Sequence, residues 1–356
     1  MTDLGFSAVD QRHARQAASI GSARPAVNCV AMRLIHITDP HLTSLAAWSL
    51  KSLRGKRWQG YLSWQRNRQR QHRAEMLAHL LSAVRAENAA HWLLTGDLAQ
   101  IGLPAEIAAA GDWLRAVASP DQLFLIPGNH DVYAADSWPA ICAQWADYLP
   151  IDAGSDPADP AAAYPLLREC GGVALIGLNS AVPTAPFLAR GALGSAQRER
   201  LAALLADVHG RGLFSCVLIH HPPLPRLTHW RKALADVRAL QTLISELQPG
   251  IVLHGHEHRN FDSRCGATRV FATASASSVR LQHFASYRVL DLHHDANGWK
   301  VSMTLKQFQP GSPGTFSVRE QQVWQRRWPA VNAPDAARAA PAPAATTRAP
   351  SPLQTD

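Results

Sequence analysis

Five short stretches of the chain concentrate side chains able to hold a divalent cation. They are Asp39-Pro40-His41, Gly96-Asp97, Gly128-Asn129-His130-Asp131, His220-His221-Pro222-Pro223 and His254-Gly255-His256-Glu257-His258. Carboxylate, imidazole and amide oxygen together suit a borderline-hard divalent transition metal. Thiolate is missing from the set, which argues against a closed structural zinc site. Asp39, His41, Asp97, Asn129, His220, His256 and His258 are too many candidates for one ion. With one carboxylate shared they suit two ions about 3.5–4 Å apart, a pair that can deprotonate a bridging water and draw charge from a phosphoryl oxygen during in-line attack.

Such a cluster needs a scaffold that brings distant loops together. Each stretch directly follows an apolar run of strand length, at 33–37, 91–95, 122–126, 214–219 and 250–253, and a further run lies at 173–178. Helix-like segments at about 75–87, 104–117, 136–148, 196–208 and 233–247 separate several of them, and Pro104 suits a first helical turn. This alternation predicts an α/β fold with largely parallel sheet. Residues 268–306 read as successive strands turning at Asp295-Ala296-Asn297-Gly298, so the sheet is expected to be mixed. In open α/β sheets sites form beyond the carboxyl ends of strands, where loops converge. Glycines let the backbone turn tightly there. Pro40 should hold Thr38-Asp39 extended without displacing the flanking candidates.

Length and composition bound the rest. At 356 residues, 47% apolar and 17% charged, the chain can build one large α/β domain or two small ones. Residues 1–31 lack periodicity and read as a disordered extension, with Met32 directly ahead of the first strand as an alternative start. Residues 332–356, rich in Ala and Pro, read as a disordered tail. The folded part is therefore expected over 32–331. No apolar run approaches the ~20 residues that span a bilayer, and the N-terminus has no signal-peptide pattern. The five cysteines are scattered, without a CxxC pair. The expectation is a reduced, cytoplasmic chain.

DxH, GD, GNHD, HHPP and GHxH, in this order from Asp39 to His258, resemble the calcineurin-like metallophosphoesterase superfamily. The resemblance implies a four-layer α/β/β/α sandwich of two mixed β-sheets, with the site at one end. It implies a hydrolase of phosphate esters that uses a metal-bridging hydroxide. One ion would be held by Asp39, His41 and His258, the other by Asn129, His220 and His256, with Asp97 between them. Mn, Fe, Zn and Co all accept such ligands. His130 would face the substrate and protonate the leaving oxygen, with Asp131 fixing its tautomer and raising its basicity. His221 would lie behind the ligands or face the substrate. A phosphodiesterase or pyrophosphatase on a small or lipid-linked substrate is expected. A nuclease is the rival enzyme reading, and a non-catalytic scaffold the rival from another class.

The remaining histidines have plainer readings. His36 sits inside a strand, His254 beside the site as a hydrogen-bonding neighbour, and His293-His294 at a hairpin end. Glu257 is expected to point to solvent or to an arginine. The net charge of +8 is concentrated between Asp39 and Glu75, where eight Lys and Arg meet no acid. Within residues 48–74, Trp58, Tyr61 and Leu62 at i, i+3 and i+4 mark a basic aromatic helix that can overhang the site. Three readings stand: a packed cap, a surface for anionic lipid headgroups or acyl substrates, and a less favoured nucleic-acid groove. Arg57 and Trp58 are its candidate substrate contacts.

Overall fold

The structure, a computed structural model, describes residues 30–42, 52–149, 163–312 and 314–328. The expected tail, most of the N-terminal extension and the start of the basic segment lie outside the described residues. The first strand, β1 (Val30–Ile37), begins ahead of its apolar run, because antiparallel partner β12 (Ser286–Asp295) extends the ladder back to Val30 opposite His294. Met32 therefore lies within a strand.

One sheet runs in the order β14 (Phe316–Arg326), β13 (Gly298–Phe308), β12, β1, β2 (His91–Thr95), β3 (Leu123–Ile126). The other runs β4 (Leu166–Cys170), β5 (Val173–Gly177), β6 (Phe214–Leu218), β7 (Ile251–His254), β9 (Thr268–Ala272), β8 (Phe261–Cys265). Both are mixed: β1, β2 and β3 are parallel, as are β5, β6, β7 and β9, while β12–β14 and the outer strands β4 and β8 pair antiparallel. Side-chain alternation shows how they stack. Leu175, Cys216, Leu218 and Phe271 share a core with Ile35, Phe124 and Val289 of the other sheet. Their neighbours Ala174, Ile176, Val217 and Val270 instead pack beneath α6 (Ser195–Gly210) and α7 (Val237–Leu247). On the opposite outer face α3 (Ala74–Ala86), α4 (Pro104–Val117) and α5 (Ser137–Gln144) contribute Leu80, Leu114 and Ile141 to the larger core. The result is the α/β/β/α sandwich.

Strand β14 is not visible as an apolar run, because it pairs only with β13 and leaves Val318 and Val323 half exposed. Two-residue strands β10 (Val279–Arg280) and β11 (His283–Phe284) form a small hairpin after β9. The basic segment forms a strap over one end of the sandwich. Its α1 (Lys56–Ser63) passes through a π-helical turn, Trp64–Arg68, into the short α2 (Gln69–Gln71). Buried Trp64 anchors it against Leu53, Ile101, Leu103 and Tyr133. Burial of one large apolar side chain is worth about 1.5–3 kcal/mol. Among the described residues, no helix is long and apolar enough to cross a membrane.

Candidate metal centre

The loops leaving β1, β2, β3, β6 and β7 meet at one end of the sandwich, beneath the strap. Backbone bonds stitch them together: Asp39 N–H donates to Gly96 O at 3.0 Å and His41 N–H to Asp97 O at 2.9 Å. The path is tight. Asp39, His41, Asp97, His256 and His258 all have positive φ, between 42° and 73°. Non-glycine residues enter this region seldom, and such strain gathers at functional sites. Pro40 was expected to keep Asp39 extended. The stitching to Gly96, and the hydrogen bond from Ser275 Oγ to Asp39 O at 2.6 Å, hold Asp39 left-handed instead. Glycine is required where the loops touch. A Cβ at Gly128 would lie 2.2 Å from Asp97 Oδ1, and one at Gly255 2.3 Å from Asp39 Oδ2.

The donor atoms fall into two groups that share Asp97. Asp39, His41, Asp97 and His258 form one, with ligand atoms within 4.8 Å of each other; Asp97, His220 and His256 form the other. In the first, His41 Nε2 is 3.1 Å from His258 Nε2 and 3.8 Å from Asp97 Oδ2, and His258 Nε2 is 3.2 Å from Asp39 Oδ1. In the second, His220 Nε2 is 3.3 Å from Asp97 Oδ2, 3.1 Å from Asn129 Oδ1 and 3.2 Å from His256 Nδ1. Backbone carbonyls set two tautomers. His41 Nδ1–H donates to Ala99 O at 3.2 Å and His220 Nδ1–H to Thr95 O at 2.7 Å, which turns both Nε2 lone pairs inward.

This arrangement fits cations. Asp39 Oδ1, beside His258 Nε2, is buried without a hydrogen bond, and lone pairs crowd together where a positive charge relieves them. Burial holds His41 and His256 well below the ordinary imidazole value, so both are neutral donors. Burial also disfavours charge on His220, but Asp97 beside it prevails and raises His220 to about 9. Without an ion, a proton on His220 neutralises Asp97 in its place.

Around the donors, side chains clamp the loop that carries Asp97. Asp131 accepts the backbone N–H groups of Asp97, Leu98, Ala99 and Gly128, each at 2.8 Å. Glu106 accepts those of Gln100, Ile101 and Leu103 at 2.9–3.1 Å. Arg57 completes the clamp from above, donating to Ile101 O and Gly102 O and pairing with Asp136. Two expectations are thereby corrected. Arg57 is buried in this loop and does not line the cavity over the site. Asp131 spends its lone pairs on backbone and does not orient His130. The Gln100 carbonyl does so, 2.5 Å from His130 Nδ1, while Arg68 Nη1 lies 2.8 Å from Nδ1 and 3.2 Å from Nε2. Burial, then the Arg68 guanidinium, push His130 down to about 3 rather than raising its basicity. Burial and the adjacent Asp97 push Asp131 up to about 7, against the pull of the N–H groups of Ala99 and Gly128.

A cavity of about 560 Å³ opens over the donors, with Asp97, Asn129, His130, His256 and His258 in its floor. Trp58 lies outside its lining, half exposed and stacked on Tyr61, and His221 is buried behind His256, bonded to Ser180 Oγ and Ala189 O. Neither is placed to touch a substrate in the cavity. Lys56, Arg68, Arg231, Lys232 and Arg280 supply its charge. Glu257 turns to Thr228 and Arg259, as expected of it. His36 is a core histidine bonded to Thr95 and Thr273, and His254 hydrogen-bonds Gly255 O. Sequence reasoning passed over Arg68 and His72, although their i, i+4 spacing within the strap places both on one helical face.

A two-sheet sandwich with paired donor clusters at the strand ends defines a metal-dependent hydrolase of phosphate esters. The calcineurin-like phosphoesterase family matches residues 32–260, and the chain belongs to it. The family's dinuclear divalent centre fits the donors described above. The fold is similar to that of a dimetal phosphatase from Danio rerio, at a TM-score of 0.56 and 13% identity, over 84% of this chain and 99% of that one. It is also similar to the purple acid phosphatase PPD1 from yellow lupin seeds, at a TM-score of 0.51 and 12% identity, over 84% of this chain and 54% of that one. No curated protein matches the sequence.

Proposed function

We propose that the chain cleaves a phosphodiester or diphosphate bond in an amphiphilic, lipid-linked substrate. One ion would be held by Asp39, His41 and His258, the other by Asn129, His220 and His256, with Asp97 available to both. Bound there, the ions supply Lewis acidity and a water acidic enough to attack phosphorus at neutral pH. Arg68, donating to Gly60 O and Gln100 O, holds its guanidinium at the cavity floor to receive phosphoryl oxygens. His130, next to it, takes up a proton from solvent once substrate charge offsets that of Arg68, and passes that proton to the leaving oxygen.

The observation that carries the substrate reading is the cavity's mixed rim. Five cations and one carboxylate outside the donor set, Glu257, line a pocket whose floor carries the donors for two divalent ions, more positive charge than a lone monoester calls for. Next to them stand exposed apolar side chains: Phe187 is 74% exposed, Trp230 59% and Leu281 82%. Phe187 lines the cavity itself; Trp230 and Leu281 each adjoin a lining arginine in sequence. An anionic head with an acyl tail suits both surfaces, and so does an anionic membrane that presents it.

A substrate panel tests this. Metal-reconstituted protein is assayed on bis(p-nitrophenyl) phosphate, p-nitrophenyl phosphate, a diphosphate-linked lipid in mixed micelles, and an oligonucleotide. The expected order is micellar lipid first, then the aryl diester, with the monoester slowest. Salt-sensitive cleavage of the oligonucleotide above all others would favour the nuclease reading. A protein that binds no metal and cleaves nothing would favour the scaffold.

A further inference from the structure

His72, the last residue of the strap, lies against the first donor group. Its ring centroid is 4.5 Å from that of His41 and 5.1 Å from that of His258. One of its ring nitrogens is within 4.8 Å of ring nitrogens of both, in a group that shares His41 and His258 with the first donor group but not Asp39 or Asp97. The side chain is 1% exposed. Nδ1 is engaged by Ser277 Oγ at 2.9 Å and Ser275 Oγ at 3.2 Å, whereas Nε2 is buried with no partner. An unpaired imidazole nitrogen in such a place is costly unless something occupies it. The residue is also fixed along the backbone: His72 bridges Ser278, its N–H donates to Arg68 O at 3.0 Å, and Arg73 N–H donates to Ser277 O at 3.0 Å.

We infer that His72 is a further ligand of the ion held by Asp39, His41 and His258, so that loading this position ties the strap to the metal centre. The inference rests on the dinuclear reading above. It gives the strap a role beyond covering the site. Lys56, Gln59, Gly60, Ser63, Arg68 and Gln71 of the same strap form one wall of the cavity. Trp64 anchors that wall to the small apolar cluster at one end, and an ion on His72 anchors it at the other. Substrate binding thereby becomes conditional on metal at this position, through geometry rather than through charge alone.

The test uses the full chain, stripped of metal and titrated with Mn²⁺ or Co²⁺ in the absence of substrate. Wild-type protein is expected to take two equivalents. His72→Ala and His72→Gln should weaken one of them by at least about 10-fold, since losing a ligand costs no less than losing a group that only orients one. The visible spectrum of that Co²⁺ should change, while the other equivalent binds as before. Metal should slow tryptic cleavage after Arg66 and Arg70 in wild type and fail to do so in both variants; both sites are exposed. His79→Ala, an exposed histidine on α3, is the control for a general loss of imidazole. His72→Gln retains a hydrogen bond to Ser277, which keeps the test open if the alanine variant misfolds. Two equivalents bound with unchanged affinity and unchanged strap protection in a folded variant would overturn the role of His72 alone. A wild-type chain that takes no ions would overturn it together with the dinuclear reading.

Discussion

Asp131→Asn separates a residue that builds the site from one that tunes its chemistry. The amide matches the carboxylate in shape but offers one acceptor oxygen where the carboxylate offers two. Asp131 Oδ1 accepts from Leu98 and Ala99, and Oδ2 from Asp97 and Gly128. Whichever way the amide turns, its NH₂ faces two buried N–H donors. Each donor left unpaired costs about 1–3 kcal/mol, so the lost bonds cost about 2–6 kcal/mol, an upper bound because the amide also removes the buried charge that Asp97 opposes. That is a large share of a typical domain's 5–15 kcal/mol. Urea unfolding at pH 8, where Asp131 is mostly ionised, reads this as a lower midpoint at unchanged slope. Because Asp97 sits in the clamped loop, Mn²⁺ affinity should fall in parallel. Had Asp131 served to orient His130, turnover would drop while stability stayed within ~0.5 kcal/mol, the range of an innocuous substitution. That pattern would refute the clamp.

His130→Ala should keep both ions, because no ligand is lost, while kcat falls by about 100-fold or more, the usual weight of a positioned proton donor; metal analysis beside steady-state kinetics checks both. Lys56 is pushed down to about 8, mainly by burial, and carries its charge only below that value. kcat/KM for an anionic substrate should therefore decline as pH rises through 8, and Lys56→Arg should shift the decline upward. Gly128→Ala drives a Cβ into Asp97 Oδ1 and Asp97 N, at 2.2 and 2.5 Å. Backbone must move, so bound metal and turnover should disappear together in metal analysis and activity assays, a sharper loss than the removal of His130 produces.

Much of the site was legible because each donor directly follows an uninterrupted apolar run. The runs at 91–95 and 122–126 form β2 and β3, buried on both faces, and place Asp97 and Asn129 at the converging ends of parallel neighbours. The parts that escaped are those without a period. The side chains of Asp131 and Arg57 suit substrate chemistry, whereas most of Asp131's partners and two of Arg57's are backbone groups about 30 to 45 residues away. Glu106 escaped for the same reason, as its three bonds reach back over a turn that no apolar pattern marks. His72 lay hidden among the arginines of the strap, where the surplus of charge drew notice first.

The left-handed ligands and the clamp belong to one design. Five candidate ligands have positive φ. Such residues cost about 1–3 kcal/mol each, less for Asp and His, which tolerate the region better than most. Even at the lower end the sum is several kcal/mol, enough to relax the loops unless something opposes it. Ions oppose it only when bound. The carboxylates of Asp131 and Glu106 oppose it at all times, through seven buried backbone N–H groups on the loop of Asp97 and its neighbour Gly128. Asp97 is therefore held in place before metal arrives, and binding energy is not spent on folding its loop. Near His72 the strap is held by two serines, a short bridge and two backbone bonds, with no carboxylate among these partners. Arg57, Arg68 and Trp64 fix the rest of the strap without metal, so the part whose order follows metal loading is its His72 end.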